Sequence, residues 1–396
     1  MKQANVLTGV TGFVGSHLAA NLLLRPDAET LICLARSSSE SSAKQRVIRA
    51  INLALRDQGS NQTLSSSDPS VVVLDVQLTD RGPFASEIGR VQRRYHIGSV
   101  WHCAASTKFD EAARRETWKS NIGGVKYALK LARHLGADSF NHISTAYASG
   151  CLTGRITETL HTRDGNFNNP YEESKTCGEH LVSEYCTRAR LPYRIFRPSI
   201  VIGHSQTFRS MSRSGLYSAI ELSASLCASV RRRDPDYFSH NVLQIACRRN
   251  ATLHLIPIDV VVSEILEIVA AGRPSFDQIF HITNQNPVSA MDLFRAVLPV
   301  LGIRRIRLVP PETRLSGVDR RFNGMLRQFL PYLSHRKVFD RTNVVRLRAD
   351  QQQMDLLIDA AEVERFMRSF LYGNDDEGAV HEIRDSTVLP AAGVVS

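Results

Sequence analysis

No two of the seven cysteines are spaced as CxxC, and their number is odd. That argues against a disulfide framework and against a thiolate zinc site. The thiols are read as buried groups in a reducing, cytosolic compartment. The thirteen histidines contain no HExxH or other paired ligand spacing, so no metal is expected. A long uninterrupted hydrophobic run is also missing. The most apolar later stretch, Leu253 to Ala271, carries His254, Asp259, Glu264 and Glu267, which argues against a membrane span. The opening MKQANVLTGVTGFVG lacks the apolar core and cleavage site of a signal peptide, so no secretion is expected. There is no internal repeat. The basic stretches lack the interleaved aromatics of a single-strand binding surface, which argues against nucleic acid as a partner.

What is present is an ordinary globular composition with an unusual charge. A chain of 396 residues, 43% hydrophobic and 22% charged, fits about two domains with a sizeable core. Lys and Arg number 49 against 39 Asp and Glu, a net charge of +10 that calls for an anionic ligand or partner. Residues 301–350 hold twelve of the cations against four carboxylates. Short apolar strands alternate with helical patterns over the first two hundred residues. Strands are expected at Asn5–Thr8, Thr30–Ala35, Val71–Leu74, Ser99–Cys103, Ser139–Ser144 and Tyr193–Arg197. Helices are expected at Phe13–Leu24, Ala43–Leu55, Phe84–Tyr95, Glu111–Leu135 and Tyr171–Arg190. Parallel connections need crossover helices, so this pattern predicts a doubly wound, Rossmann-type α/β sheet. The expected organisation is a nucleotide-binding domain over 1–203, its sheet completed by 251–285. A smaller, mostly helical substrate cap is expected from 204–250 and 286–372, and a disordered tail from 373–396.

Two constellations carry chemistry. TGVTGFVG, Thr8 to Gly15, follows the first strand and opens the first helix, with Thr11, Phe13 and Val14 between the glycines. Gly9, Gly12 and Gly15 permit a tight turn, close backbone approach to a pyrophosphate, and close packing of helix on strand. At the end of the second strand, where an NAD site usually offers a carboxylate to the ribose, this chain has Arg36, which suits the 2′-phosphate of NADPH. Lys44 and Arg46 either add to that charge or belong to a solvated helix face. The second constellation is Tyr171 and Lys175, spaced i, i+4 so that phenol and ammonium share a helix face. The ammonium can favour the phenolate and hold a ribose while the phenol passes a proton to a carbonyl oxygen. Ser144 and Thr145 end the fifth strand, where open parallel sheets place reactive groups. Asp259 is read as organising a turn or helix start, and Trp101 and Trp118 as packing residues.

In this order the stretches LTGVTGFVGSHLAANLL, CLARSSSESSAKQRV, LDVQLTD, VWHCAASTKFD, NIGGVKYALKLA, FNHISTAYASG, NPYEESKTCGEHLV, YRIFRPSIVIG and IPIDVVVSEI span residues 4–285. The chain thereby resembles the extended short-chain dehydrogenase/reductases. Within them it is most similar to the branch of thioester reductases, which includes terminal reductase domains of nonribosomal peptide synthetases and of carboxylic acid reductases, and fatty acyl-CoA reductases. Phe329 to Val345 resembles the segment that follows the Rossmann domain in acyl-CoA reductases. The resemblance implies Thr145, Tyr171 and Lys175 as a catalytic triad, with Ser144 as the alternative hydroxyl. It implies Arg36 and Arg46 at the 2′-phosphate, Asp75 and Val76 at the adenine, Ala104, Ala105 and Ser106 near the ribose, and Pro198, Ser199 and Val201 at the nicotinamide. Many relatives have Asn where this chain has Cys103, which removes a side-chain contact and leaves the backbone path.

The function so implied is NADPH-dependent reduction of an acyl thioester, bound to coenzyme A or to an acyl or peptidyl carrier protein, to an aldehyde, with a second hydride giving the alcohol. Both carriers are anionic and would be drawn to the basic 301–350 region, which a plain solvated face explains equally well. The alternatives are an extended reductase acting on a nucleotide sugar or a steroid-like secondary alcohol, and a Rossmann regulator without catalysis.

Overall fold

The computed structural model describes residues 1–76, 84–248, 250–333, 336–347 and 356–373. Gln77 to Asp80 of LDVQLTD, parts of the basic stretch and the tail from residue 374 lie outside the described residues.

Seven strands form one sheet: β1 (Lys2–Thr8), β2 (Thr30–Ala35), β3 (Val71–Asp75), β4 (Tyr95–His102), β5 (Ser139–Ile143), β6 (Tyr193–Pro198) and β7 (Gln278–Ile282). They lie in the order β7-β6-β5-β4-β1-β2-β3, and every neighbouring pair is parallel. Five helices precede β6 or lead into it: α1 (Phe13–Leu24), α2 (Ala43–Asp57), α3 (Phe84–Arg94), α4 (Arg114–Leu135) and α5 (Pro170–Ala189). One apolar core joins the sheet to α1, α2 and the helix Ile258–Ala270; another joins its opposite face to α4 and α5. Chain order reverses on either side of β1, between β4 and β2. This switch point opens a crevice at the carboxyl ends of β1 and β4, where doubly wound sheets bind ligands.

Local chemistry sets the helix starts. Ser42 and Gln45 close a capping box at the head of α2, and the Asn169 side chain accepts the Glu172 amide with Pro170 at the first helical position of α5. The strand β4 begins at Tyr95, four residues before the expected Ser99. Ala4 pairs with Ile97 and Asn5 with Ser99, so Gly98 is the extra residue of a bulge that masks the strand pattern in the sequence. The expected helix from Glu111 begins as a 3-10 turn over Glu111–Ala113 before α4.

Beyond β6 the chain builds a second, largely helical body from Leu216–Arg231, Ala290–Val300, Gly317–Leu326 and Ala360–Tyr372 around its own core, with Tyr217, Phe322 and Phe366 fully buried. Each such ring contributes about 1.5–3 kcal/mol by burial. Lys337–Phe339 then pairs in parallel with Gly154–Ile156, which returns the basic segment to the sheet half. Arg341 reinforces this return, donating to Thr283 O at 2.6 Å and pairing with buried Glu264. Among the described residues no helix is long and apolar enough to cross a membrane.

Candidate active site

The crevice begins at the glycine loop. Gly9 has φ +76° and is so closely approached that a Cβ there would lie 2.4 Å from Ala104 N. A Cβ on Gly15 would lie 2.2 Å from Gly9 O. Only glycine fits either place. Gly12 caps α1 without any side-chain hydrogen bond, so the first amides of the helix remain available to an anion. Thr8 Oγ1 lies 2.8 Å from His102 Nδ1 and accepts from Ala104 N at 3.4 Å, locking the ends of β1 and β4 together. Burial lowers the His102 pKa to about 3, with the Lys175 charge adding to the effect, so this imidazole is neutral.

Past β2 lies an open, polar cavity of about 1230 Å³, lined by Thr11, Arg36, Arg46, Arg49, Glu40, Asp75 and Met211 among others. Three guanidiniums therefore face two carboxylates. One of these, Asp75, is committed: it accepts from Ser37 N at 2.9 Å and from Ser37 Oγ at 2.5 Å, fixing the turn that carries Arg36. Arg46 donates to the Arg36 carbonyl oxygen. Val76 N donates to Ala35 O at 2.8 Å and continues the sheet edge beside them.

The reactive end is built at the carboxyl end of β5. Lys175 Nζ donates to Ile143 O at 2.7 Å, and burial lowers its pKa to about 8. Tyr171 is hydrogen-bonded to the Thr145 side chain; burial raises its pKa, and that bond opposes the rise. Thr145 Oγ1 accepts from Tyr147 N at 3.3 Å, which caps a 3-10 turn and fixes the hydroxyl. Ser144 is spent elsewhere, since its Oγ donates to Glu179 Oε1 at 2.5 Å. Glu179 is in turn held by Arg197 through bonds of 2.9 and 2.6 Å, both side chains fully buried. Cys103 lines the same cavity, its thiol pushed up to about 12 by burial, with the Lys175 charge opposing the shift.

Sequence reasoning missed Asn121. Its Oδ1 accepts from Ser106 N at 2.6 Å, and its Nδ2 donates to Ser106 O at 3.1 Å and to Ser174 Oγ at 2.8 Å. It thus clamps the Ala104–Ser106 loop to α5. The available signal was an Asn on the inward face of a long amphipathic helix. His102 and His142 stack at 5.5 Å within strands, and among the described residues no cluster of His, Cys, Asp and Glu could hold a metal.

A cavity of about 390 Å³ connects Gly9, Gly12 and Gly15 with Thr145, Tyr171, Lys175, Pro198, Ser199 and Val201, then continues beneath the second body to Leu326, Phe329 and Tyr332. Phe109 packs between Tyr171 at 5.7 Å and Phe329 at 5.9 Å. The Tyr332 hydroxyl accepts from Asn169 Nδ2 at 2.8 Å and also bonds Glu172, a buried carboxyl raised by desolvation. Lys337 Nζ donates to Gly150 O at 2.7 Å and to Ser149 Oγ at 3.1 Å, so part of the basic stretch is internal scaffolding. The loop 204–214 lies between the two cavities: Met211 borders the Arg36 side, and Ser212 and Ser214 border the reactive side. Asp57 accepts from Met211 N at 2.9 Å and Asp259 from Ser205 N at 2.8 Å, which gives Asp259 its role in organising this loop.

The NAD-binding family model described as male sterility protein matches residues 7–265. Aldehyde reductase lnaA of Aspergillus flavus is 23% identical over 353 residues, 83% of this chain and 31% of that protein. Fatty acyl-CoA reductase 1 of Gallus gallus is 26% identical over 224 residues, 50% of this chain and 42% of that protein. The chain thus spans less than half the length of either relative. The crystal structure of the terminal R domain from the myxalamid PKS-NRPS biosynthetic pathway shares the fold, with a TM-score of 0.72 at 21% identity, covering 93% of this chain and 90% of that one.

Proposed function

The chain belongs to the NAD-binding male sterility protein family, and from that premise we propose that it is an NADPH-dependent reductase of an acyl thioester, carried on coenzyme A or on an acyl or peptidyl carrier protein. The observation that carries this reading is the shared cavity: Thr145, Tyr171 and Lys175 line the same space as the glycine loop, and that space continues into a separate chamber.

The residues present fit a nicotinamide dinucleotide. Gly9 and Gly15 occupy places that a Cβ would fill, and the uncapped start of α1 suits a pyrophosphate. Arg36, with Arg46 and Arg49 beside it, suits a 2′-phosphate, and no free carboxylate ends β2. When bound, the cofactor supplies a hydride. Tyr171 and Thr145 supply the two hydrogen-bond donors that a carbonyl oxygen needs as it gains negative charge. Lys175, anchored on Ile143 O, keeps a positive charge beside them below about pH 8. One hydride and one proton enter, and an aldehyde and a thiol leave. A second round yields the alcohol. The exposed arginines of residues 301–350, such as Arg320, Arg321 and Arg327, offer an anionic carrier a surface near Leu326 and Phe329 of the chamber. A nucleotide sugar would instead place a pyrophosphate in a chamber whose described lining has Lys175 as its one charged group.

The test is NADPH consumption with a panel of acyl-coenzyme A and acyl-carrier-protein thioesters, with aldehyde and alcohol identified by mass spectrometry. Thioester-dependent oxidation is expected. Inactivity across the panel, with turnover of a nucleotide sugar, overturns the reading.

A further inference from the structure

We infer that the acyl group this enzyme takes is uncharged, apolar and of short to medium length; the inference rests on the thioester reading above and adds the class of substrate. The chamber beyond Tyr171 is walled by Leu216, Leu253, Phe294, Leu326, Phe329 and Leu333. These come from four segments of the second body and the strand Thr252–Leu253. Two phenols also face it, and both hydroxyls are engaged. Tyr332 is bonded to Asn169 and Glu172, and Tyr147 to the His254 backbone. Their rings stack edge to face at 4.8 Å. These residues offer carbon to an acyl chain; the cavity is also lined by the hydroxyls of Thr107, Ser199, Ser212 and Ser214, and the described lining away from Lys175 offers no counter-charge to a terminal carboxylate or ammonium. Among the described lining residues the one charge is Lys175, which sits at the reacting end on Ile143 O. A charged terminus would lose hydration with no counter-charge to offset it.

Size adds a second limit. At about 390 Å³ the cavity lies near the lower end of the roughly 300–1,000 Å³ usual for small-molecule sites, and its glycine-loop end belongs to the cofactor. This limits the length of chain that the remainder can enclose, so selectivity is expected to peak at intermediate length.

The decisive experiment compares kcat/KM for acetyl-, butyryl-, octanoyl-, suberyl- and palmitoyl-coenzyme A. Each methylene buried should raise kcat/KM by about fourfold until the chamber is full, so octanoyl exceeds acetyl and palmitoyl falls back. Suberyl, which matches octanoyl in length but ends in a carboxylate, should fall at least about a hundredfold below it. A suberyl value within tenfold of octanoyl, or a flat series from acetyl to octanoyl, overturns the inference. The variant Phe329→Arg replaces a half-buried wall residue and should raise the suberyl-to-octanoyl ratio about tenfold. An unchanged ratio overturns the assignment of this wall to the acyl group. Calorimetry with octanol and 8-hydroxyoctanoate separates this inference from its premise. If no thioester is reduced, the thioester reading fails. Tighter binding of octanol still supports the apolar chamber, and equal binding overturns it.

Discussion

The two ends of the crevice are made of different material. At the glycine-loop end the shape is set by backbone: Gly9 against Ala104 N, Gly15 against Gly9 O, and the bare first turn of α1. The chamber end is shaped by side chains drawn from positions as far apart as Leu216 and Leu333. Backbone walls recognise what every dinucleotide shares, whereas side-chain walls can be altered one substitution at a time. On the proposed function, the first end can therefore stay constant while the second selects what is reduced.

This division is broken most severely at the junction between the two ends. Tyr171→Phe removes the proposed proton donor and should reduce kcat by about a hundredfold to ten-thousandfold, while NADPH affinity, measured by fluorescence titration, and acyl-chain preference stay close to those of the parent. A large loss of cofactor affinity in this variant would show that the two ends are not separable. A smaller change is expected at the polar end. Arg36→Asp removes the proposed charge-assisted contact to the 2′-phosphate and should shift the NADPH-to-NADH preference by about tenfold to a hundredfold, leaving the order of acyl substrates unchanged. An unaltered coenzyme ratio removes Arg36 from phosphate recognition.

The smallest effect is that of pH. With a pKa near 8, Lys175 loses its charge as pH rises, and kcat/KM should fall by about tenfold between pH 7 and 9. Stability moves the other way. Burial depresses the pKa below the ordinary 10.5, so between about pH 8 and 10.5 the unfolded chain binds a proton that the folded one does not. The destabilisation from burying the ammonium is fully present below pH 8 and fades as pH rises through that window. Lys337, also held near 8, contributes with the same sign. Melting curves across this range should rise less steeply for Lys175→Met than for the parent. An identical slope removes the lysine from the linkage.

The sequence was most legible where structure is local. Phe13–Leu24 and Thr30–Ala35 match their expected bounds residue for residue, because each is a mostly apolar stretch closed by turn chemistry. The start of β4 was hidden by the bulge at Gly98. Elements such as Leu243–Ala246 and Ile306–Val309 are four residues each and exist through pairing across sixty positions, so no local pattern announces them. The site follows the same rule. Thr8 to Gly15 is one continuous motif, but only the fold shows that Glu179 and Arg197 take up Ser144, that Asn121 clamps the Ser106 loop, or that Phe329 and Tyr332 lie beside Tyr171.

The position of β7 in the chain constrains how this molecule can be made. Its sheet neighbour β6 ends at Pro198, but β7 begins only at Gln278, with much of the second body synthesised between them. A ribosome that has released residues 1–203 has exposed every group proposed to handle the dinucleotide, and still leaves one edge of β6 unpaired. All six residues of β6 are buried in the finished protein. An open, apolar parallel edge is prone to pairing with other chains, and non-local strands are slow to dock. A fragment cut after residue 203 should therefore aggregate despite carrying the whole dinucleotide motif. A soluble piece is expected to extend past Ile282, the end of β7, and Asn343 adds a further tie to that strand, its side chain donating to Ile279 O at 3.0 Å.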